Sequence, residues 1–379
     1  MKSTTLKVEN GDALGALRKF LGGMLESGLV RALLAPKELP SGEGFVQTLV
    51  KDPAMLDDAN PLAPTMAVQS ARILSDLTAT DVDGRIGVVL KPCEMRAAVE
   101  LSKFLQVNLD NLVTVGVDCP GTYEVKDYAA MTEAHRAASA QALIEGAGTG
   151  EVKTVDAPIR EACRICEHPT PMNTDITLAL LGGDSSREIA VIVAERLEGE
   201  IAEKLSLDLK DGDPAGRNEA AEKLTGRRAE ARKQALAELA ERIGTLDKLM
   251  DVLSTCVRCH NCMGVCPICY CKECVFKSSV FKHRSDQFLN WASRKGAIRM
   301  PSDTLIFHLT RLSHMATSCV SCGMCDSACP SGLPVSALFH LIGDDVQDMF
   351  EYSPGRDPAE EAPVSVFKED ELEATAGAH

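Results

Sequence analysis

Residues 256–274, CVRCHNCMGVCPICYCKEC, constrain this chain more than any other stretch. The first four cysteines, Cys256, Cys259, Cys262 and Cys266 before Pro267, form C-x2-C-x2-C-x3-C-P. Cys319, Cys322, Cys325 and Cys329 before Pro330 repeat that run. A pair of such runs is the ligand pattern of two 4Fe–4S clusters, in which the fourth cysteine of each run serves the other cluster. The x2 spacings let three thiolates of one tight loop converge on three irons of a cube, while the Cys-Pro leaves toward the partner cluster. The spacing therefore assigns Cys256, Cys259, Cys262 and Cys329 to one cluster, and Cys319, Cys322, Cys325 and Cys266 to the other. Zinc held by C-x2-C pairs is the competing reading. It needs only four ligands and leaves the doubled run with its prolines unexplained.

A chain of 379 residues has room for two or three domains. Fifteen cysteines, with no apolar export signal in MKSTTLKVENGD, argue for metal ligation in a reducing compartment, hence a cytoplasmic protein. No apolar run approaches membrane-spanning length. A net charge of −15 argues against nucleic acid or anionic lipid as a partner.

In chain order, apolar spacing predicts a helix over 11–27 and short strands at 30–34 and 45–50. A two-proline loop at 60–66 and a helical stretch at 67–77 follow. The runs 85–90 (RIGVVL) and 112–117 (LVTVGV) read as buried strands, with a helix over 95–105 between them. Strand, helix, strand implies a partly parallel α/β layer. Cys93 and Cys119 each follow one of these strands, at the carboxyl edge where α/β sheets place their ligands. Residues 126–146 read as helical, and the runs 174–181 and 187–194 around Gly182-Gly183 as a hairpin. The turn-rich stretch 209–217 marks a boundary, and 218–242 reads as an exposed connecting helix without functional content. Helical patterns at 280–291 and 302–315 make the cysteine-rich part a predominantly helical ferredoxin domain. The expected organisation is an α/β domain at 1–208, a connecting helix at 209–244, a two-cluster ferredoxin domain at 245–343 and an acidic tail at 344–379. That tail is either solvated and partly disordered or a segment that docks on a partner.

Seven cysteines remain. Cys93, Cys119, Cys163 and Cys166 equal the thiolate count of one more 4Fe–4S cluster, against buried structural thiols or half of a zinc knuckle. Cys269, Cys271 and Cys274 could hold an extra metal if His260 or His283 supplied a fourth ligand, against spare thiols beside a cluster.

Together, KPCEMRAAVEL, VGVDCPGTY, CRIC with TDITLALLGG, and REIAVIVAERLEGE resemble the coenzyme F420 hydrogenase/dehydrogenase beta subunit family, on its formate dehydrogenase branch. The resemblance spans roughly residues 60–345. It implies an α/β flavin and Fe–S binding domain holding FAD beside a 4Fe–4S cluster, followed by the two-cluster ferredoxin domain. On the matching positions it implies Cys93, Cys119, Cys163 and Cys166 as ligands of the flavin-proximal cluster. Lys91, Glu94, Asp118, Gly121, Asn173 and Asp175 lie in or beside the same motifs and are the expected flavin-lining positions. The family commonly has a short acidic-small-glycine run after its C-x2-C loop; here TDITLALLGGD stands instead, which leaves the coenzyme open. No G-x-G-x-x-G follows a strand, so a Rossmann nicotinamide site is not supported.

The leading expectation is an oxidoreductase subunit. FAD would exchange hydride with F420 or NAD(P), and electrons would pass through three 4Fe–4S clusters to a partner subunit. That partner would be a formate dehydrogenase, hydrogenase or heterodisulfide-reductase-like subunit. A flavin-free wiring subunit keeps every cluster and drops the hydride chemistry. A zinc-stapled scaffold is the third class.

Overall fold

The computed structural model describes residues 2–80, 83–282, 284–296 and 303–367. The chain divides into two compact units, Met1–Lys233 with Pro354–Glu361, and Gln234–Ser353 with Ala362–His379.

The first unit is built on an eight-stranded mixed sheet. Its strands are β1 Lys2–Lys7, β2 Ala32–Glu38, β3 Phe45–Val50, β4 Ile86–Leu90, β5 Leu112–Val117, β6 Ile176–Ala179, β7 Glu188–Val193 and β8 Lys210–Asp211, in the order β3-β2-β4-β5-β6-β7-β1-β8. β2, β4, β5 and β6 run parallel. Every residue of β4, β5 and β6 is buried, as central parallel strands covered on both faces require. At the edges β3 is buried only at its two ends, Phe45 and Val50, and β8 is exposed. β6 and β7 form the expected antiparallel hairpin. β1 was not anticipated: KSTTLK is short and mostly polar, yet it pairs with both β7 and β8.

Helix Ala13–Glu26 buries Leu17, Phe20, Leu21 and Met24, one face at 3.6-residue spacing, and Asp12 caps its start by accepting from the Gly15 N–H at 2.8 Å. Each fully buried side chain of this size contributes about 1.5–3 kcal/mol. The predicted helix over 126–146 is two helices, Val125–Ala130 and Glu133–Gly148, the second capped by the Thr132 hydroxyl accepting from the His135 N–H. Helix Arg217–Ile243 is not a bare connector. Arg217, Ala220, Leu224 and Arg228 are buried along one face of its first three turns.

In the second unit all regular structure among the described residues is helical. Leu253, Ile268, Met315, Leu333, Val335 and Phe339 form one small core, and Cys262, Met263, Phe276 and Phe307 another. Cysteines border both. Helix Val335–Met349 continues past the expected tail boundary at 344. Beyond it, Pro354–Glu361 returns to the first unit. The Arg96 Nε–H donates to the Pro354 carbonyl (2.8 Å), the Gly355 N–H donates to Glu100 (2.7 Å), and Asn173 donates to the Arg356 carbonyl (2.8 Å). A Cβ on Gly355 would stand 2.5 Å from the Arg96 Cα, so the strap passes where only glycine fits. No helix among the described residues is long and apolar enough to cross a membrane.

Candidate iron–sulfur centres

Both C-x2-C-x2-C runs fold into the same arch. Arg258 and His260 in the first have φ of 52° and 60°; Ser321 and Gly323 in the second have 63° and 67°. For the three non-glycine residues this left-handed conformation costs on the order of 1–3 kcal/mol each. Strain repeated at matching positions points to loops shaped around something. A one-turn helix follows each arch, Asn261–Gly264 and Met324–Ser327.

The fourth cysteine of each run lies with the other run. Cys256, Cys259, Cys262 and Cys329 line one cavity together with His260, Phe307 and His308. Cys266, Cys319, Cys322 and Cys325 line a second, together with Arg311 and Phe339. Burial pushes the Cys262 thiol up to about 11, against the pull of the Arg311 charge, and raises Cys325 well above the ordinary thiol range. Thiolates at such positions need a cation, which a cluster's iron supplies.

Helix Thr304–Met315 brings polar side chains to the cysteines. Arg311 donates from Nη1 to the Cys262 Sγ at 3.2 Å and from Nη2 to the Cys262 carbonyl at 3.1 Å. Its guanidinium stacks on the rings of Phe307 (5.7 Å) and Phe339 (5.1 Å). One turn earlier, the His308 Nε2 lies 3.4 Å from the Cys256 Sγ. Burial first, then the Arg311 charge, pushes this imidazole down to about 4, so it is neutral at pH 7. The Leu333 N–H donates to the Cys329 Sγ at 3.4 Å. His260 stacks on Phe307 at 4.7 Å, and its Nε2, like the Arg311 Nε, is buried without a hydrogen-bond partner among the described residues. Cluster sulfides are acceptors for such donors, so the two cavities fit iron–sulfur cubanes.

Among the described residues no three His, Cys, Asp or Glu side chains are grouped closely enough to hold a single metal ion. A cubane asks for wider spacing, because each thiolate binds a different iron. Cys269, Cys271 and Cys274 form no single-ion group either. Cys269 borders both small cores, whereas Cys271 is exposed. His260 lines the first cavity, and His283 lies outside the described residues.

In the first unit β4 and β5 pair in parallel, Leu90 opposite Gly116, so Lys91 to Cys93 and Asp118 to Cys119 leave the sheet at one carboxyl edge. Cys93 occupies the first turn of helix Pro92–Lys103. The Cys119 N–H donates to the Pro169 carbonyl at 2.7 Å, which brings the loop after Cys166 over β5. Gly116 permits that approach, since a Cβ there would meet Pro171 at 2.6 Å. Gly121, at φ 123°, similarly admits Ile159 and Cys163. Burial, then the neighbouring Cys163, pushes the Cys119 thiol up to about 11, while Lys91 and Arg228 pull it down. Thr122 Oγ1 lies 3.4 Å from the Cys163 Sγ. The Arg228 guanidinium donates to the Pro120 carbonyl (2.5 Å) and the Cys166 carbonyl (3.4 Å).

Most of the expected flavin-lining positions are engaged inside the fold. Glu94 accepts from the Lys91 N–H (2.8 Å) and the Ser70 N–H (3.2 Å). Asp118 accepts from the Leu180 and Leu181 N–H groups at 3.1 and 3.2 Å and pairs bidentately with Arg217. Asp175 accepts from the Thr114 N–H at 2.7 Å and pairs with Arg196, at the amino end of β6 and away from the cysteine edge. Asn173 holds the 354–361 strap. Lys91 and Gly121 stay at the edge, Lys91 without a carboxylate partner among the described residues.

Arg228, His308 and Arg311 were not singled out from sequence. Each carries a detectable signal: a charged or polar residue falling on the apolar stripe of an amphipathic helix, as Arg311 does beside Phe307 and Met315.

Residues 83–206 match the family described as the C terminus of the coenzyme F420 hydrogenase/dehydrogenase beta subunit, and residues 251–333 match a 4Fe–4S dicluster domain. The F420-dependent formate dehydrogenase subunit beta of Methanocaldococcus jannaschii is 28% identical over 392 residues, covering 93% of each chain. The F420-dependent formate dehydrogenase 1 subunit beta of Methanococcus maripaludis is 28% identical over 387 residues, covering 95% of this chain and 94% of its own. A chain from the F420-reducing [NiFe] hydrogenase complex of Methanosarcina barkeri aligns with 65% of this chain and 94% of its own length, at 12% identity and a TM-score of 0.45. Over nearly its whole length the chain is thus similar to beta subunits of F420-dependent formate dehydrogenases, and it is an iron–sulfur oxidoreductase subunit with a C-terminal 4Fe–4S dicluster domain.

Proposed function

We propose that the chain transfers electrons between a hydride-carrying coenzyme of the F420 type, or NAD(P), and a partner subunit of a formate dehydrogenase, hydrogenase or heterodisulfide-reductase-like complex. In this reading Cys93, Cys119, Cys163 and Cys166 hold a third 4Fe–4S cluster with FAD beside it at the carboxyl edge of β4 and β5. The two cavities of the second unit hold the other clusters. The grouping of the cysteines carries it: two crossed sets of four around separate cavities, and Cys119 beside Cys163 at a sheet edge.

When bound, FAD supplies the exchange of a two-electron hydride for single electrons, and the clusters carry those electrons. The chain positions and screens these groups. Lys91 and Arg228 offset thiolate charge at the sheet edge, and Lys91 is the cation available to an anionic flavin or coenzyme. Arg311 does the same between the two cavities of the second unit.

The internal bonds of Glu94, Asp118, Asn173 and Asp175 favour a second reading, a flavin-free wiring subunit with the same clusters. Iron, acid-labile sulfide and flavin are to be measured on the anaerobically purified chain. The first reading expects about twelve irons and twelve sulfides, with FAD in equal proportion to the chain. The same iron without flavin, and no reduction of a dye by the coenzyme, would establish the wiring subunit instead.

A further inference from the structure

The two cysteine sets of the second unit stand in different electrostatic surroundings. In the first set nitrogens lie at hydrogen-bonding distance of the sulfurs of Cys262 (Arg311), Cys256 (His308) and Cys329 (the Leu333 amide). One of those nitrogens belongs to a cation whose residue is only 3% exposed, so its field on the sulfur is weakly screened. The second set has a carboxylate beside it. Asp326 approaches the Cys325 Sγ to 3.9 Å, and it is fixed there by accepting from the Ser336 N–H at 2.6 Å and from the Ser336 hydroxyl. A cluster becomes more negative by one charge on reduction. A hydrogen-bonded cation stabilises the reduced form and a fixed carboxylate destabilises it.

Resting on the cluster assignment proposed above, we propose that Arg311 and Asp326 set an ordered pair of potentials. The cluster at Cys256, Cys259, Cys262 and Cys329 is the higher, and the cluster at Cys266, Cys319, Cys322 and Cys325 the lower. In the half-reduced unit the electron resides on the cluster that Arg311 touches. Each reduction adds one electron and makes or breaks no bond. Arg311 also borders the second cavity, so its charge lifts both potentials, but among the described residues its hydrogen bond to sulfur reaches only Cys262. The arrangement has a sequence basis: His308 and Arg311 lie three residues apart on the helix inserted between the two runs, and so face the same way.

The test is an anaerobic potentiometric titration of the full chain, followed by electron paramagnetic resonance, with iron counted in every sample. Cys329→Ser marks which signal belongs to the first set. If it instead alters the signal of Cys319, Cys322 and Cys325, the crossed assignment has failed and the inference fails with it. With the assignment intact, Arg311→Gln should shift the first cluster's oxidised-to-reduced ratio about tenfold, a fall of ~59 mV, and the second cluster's by less. Asp326→Asn should raise the second potential and leave the first nearly unmoved. Arg311→Lys, which keeps the charge without the fork, should fall between wild type and Arg311→Gln. Equal potentials in the wild type, or a larger shift of the second cluster in Arg311→Gln, overturns the proposal. Should Arg311→Gln lose iron, Arg311→Lys and Asp326→Asn decide it by the same criteria.

Discussion

Asp118 lies beside Cys119 and was expected to line a flavin site, but it sits at the centre of a buried knot. Its side chain is fully buried and accepts four hydrogen bonds, from the Leu180 and Leu181 amides and from two nitrogens of Arg217. Asp118→Asn keeps one oxygen for the amides and removes the charge, so Arg217 is left as an unpaired cation 9% exposed. Breaking one half of a buried pair costs about 3–5 kcal/mol. Arg217→Met should cost a similar amount by stranding the carboxylate. In the double variant both charges are gone, and the loss should fall well short of the sum. Hydrogen exchange at Leu180 and Leu181 reads this locally, which matters because a two-unit cluster protein need not unfold in one step. Each single variant should speed exchange there by roughly a hundredfold or more, at about 1.4 kcal/mol per factor of ten. Additive losses in the double variant, or single variants that keep full protection while changing only cofactor binding, would refute the structural role.

Cys329→Ala should damage the cluster of Cys256, Cys259 and Cys262, some seventy residues upstream; loss of the other ferredoxin signal in resonance spectra would contradict this. Cys93→Ser and Cys163→Ser should each remove about four irons and collapse coenzyme-driven reduction of a downstream acceptor, while both second-unit signals persist. Unchanged iron and transfer in both variants would make these thiols structural. Glu200 gives a pH prediction. Hydrogen bonds from Arg85, then Lys204, hold its carboxyl down to about 2 from an ordinary 4.5. A depressed pKa favours the folded, ionised form, so the contribution is whole above about 4.5 and fades as pH falls toward about 2. The pair is part-exposed, so solvent screening limits this to about 1 kcal/mol or less. Melting temperatures of wild type and Glu200→Gln should therefore differ at pH 7 and converge near pH 2.

The layers were readable because they rest on local pattern. LVTVGV is apolar enough, and FVQTLV rich enough in β-branched and aromatic residues, that strands at 112–117 and 45–50 needed no tertiary information, and period-3.6 apolar spacing marked the helices. β1 escaped because its identity comes from the strands on either side of it and not from KSTTLK. Cysteine grouping is largely a matter of spacing within one loop. The roles of polar side chains are not: Asp118 meets Arg217 across 99 residues, and Arg311 meets Cys262 across 49. A sequence shows that an aspartate follows a strand, but not which distant cation will claim it. The connecting helix was misjudged for the same reason. Its alanine, glutamate and arginine content describes the exposed turns, while Arg217 and Arg228 act on partners near residues 118–120 and 166.

The strap at Pro354–Glu361 bears on how the molecule is made. Arg96 waits for Pro354 across 258 residues and Glu100 waits for Gly355 across 255. On the ribosome the sheet of the first unit is synthesised long before its last segment exists, and all of Gln234–Ser353 must emerge in between. During that interval Arg96 and Glu100, buried side chains in the finished fold, lack these strap contacts. The first unit thus reaches its final form only after translation has passed residue 361. Nascent chains arrested before the strap should therefore carry helix Pro92–Lys103 with its Arg96 and Glu100 not yet joined to Pro354 and Gly355.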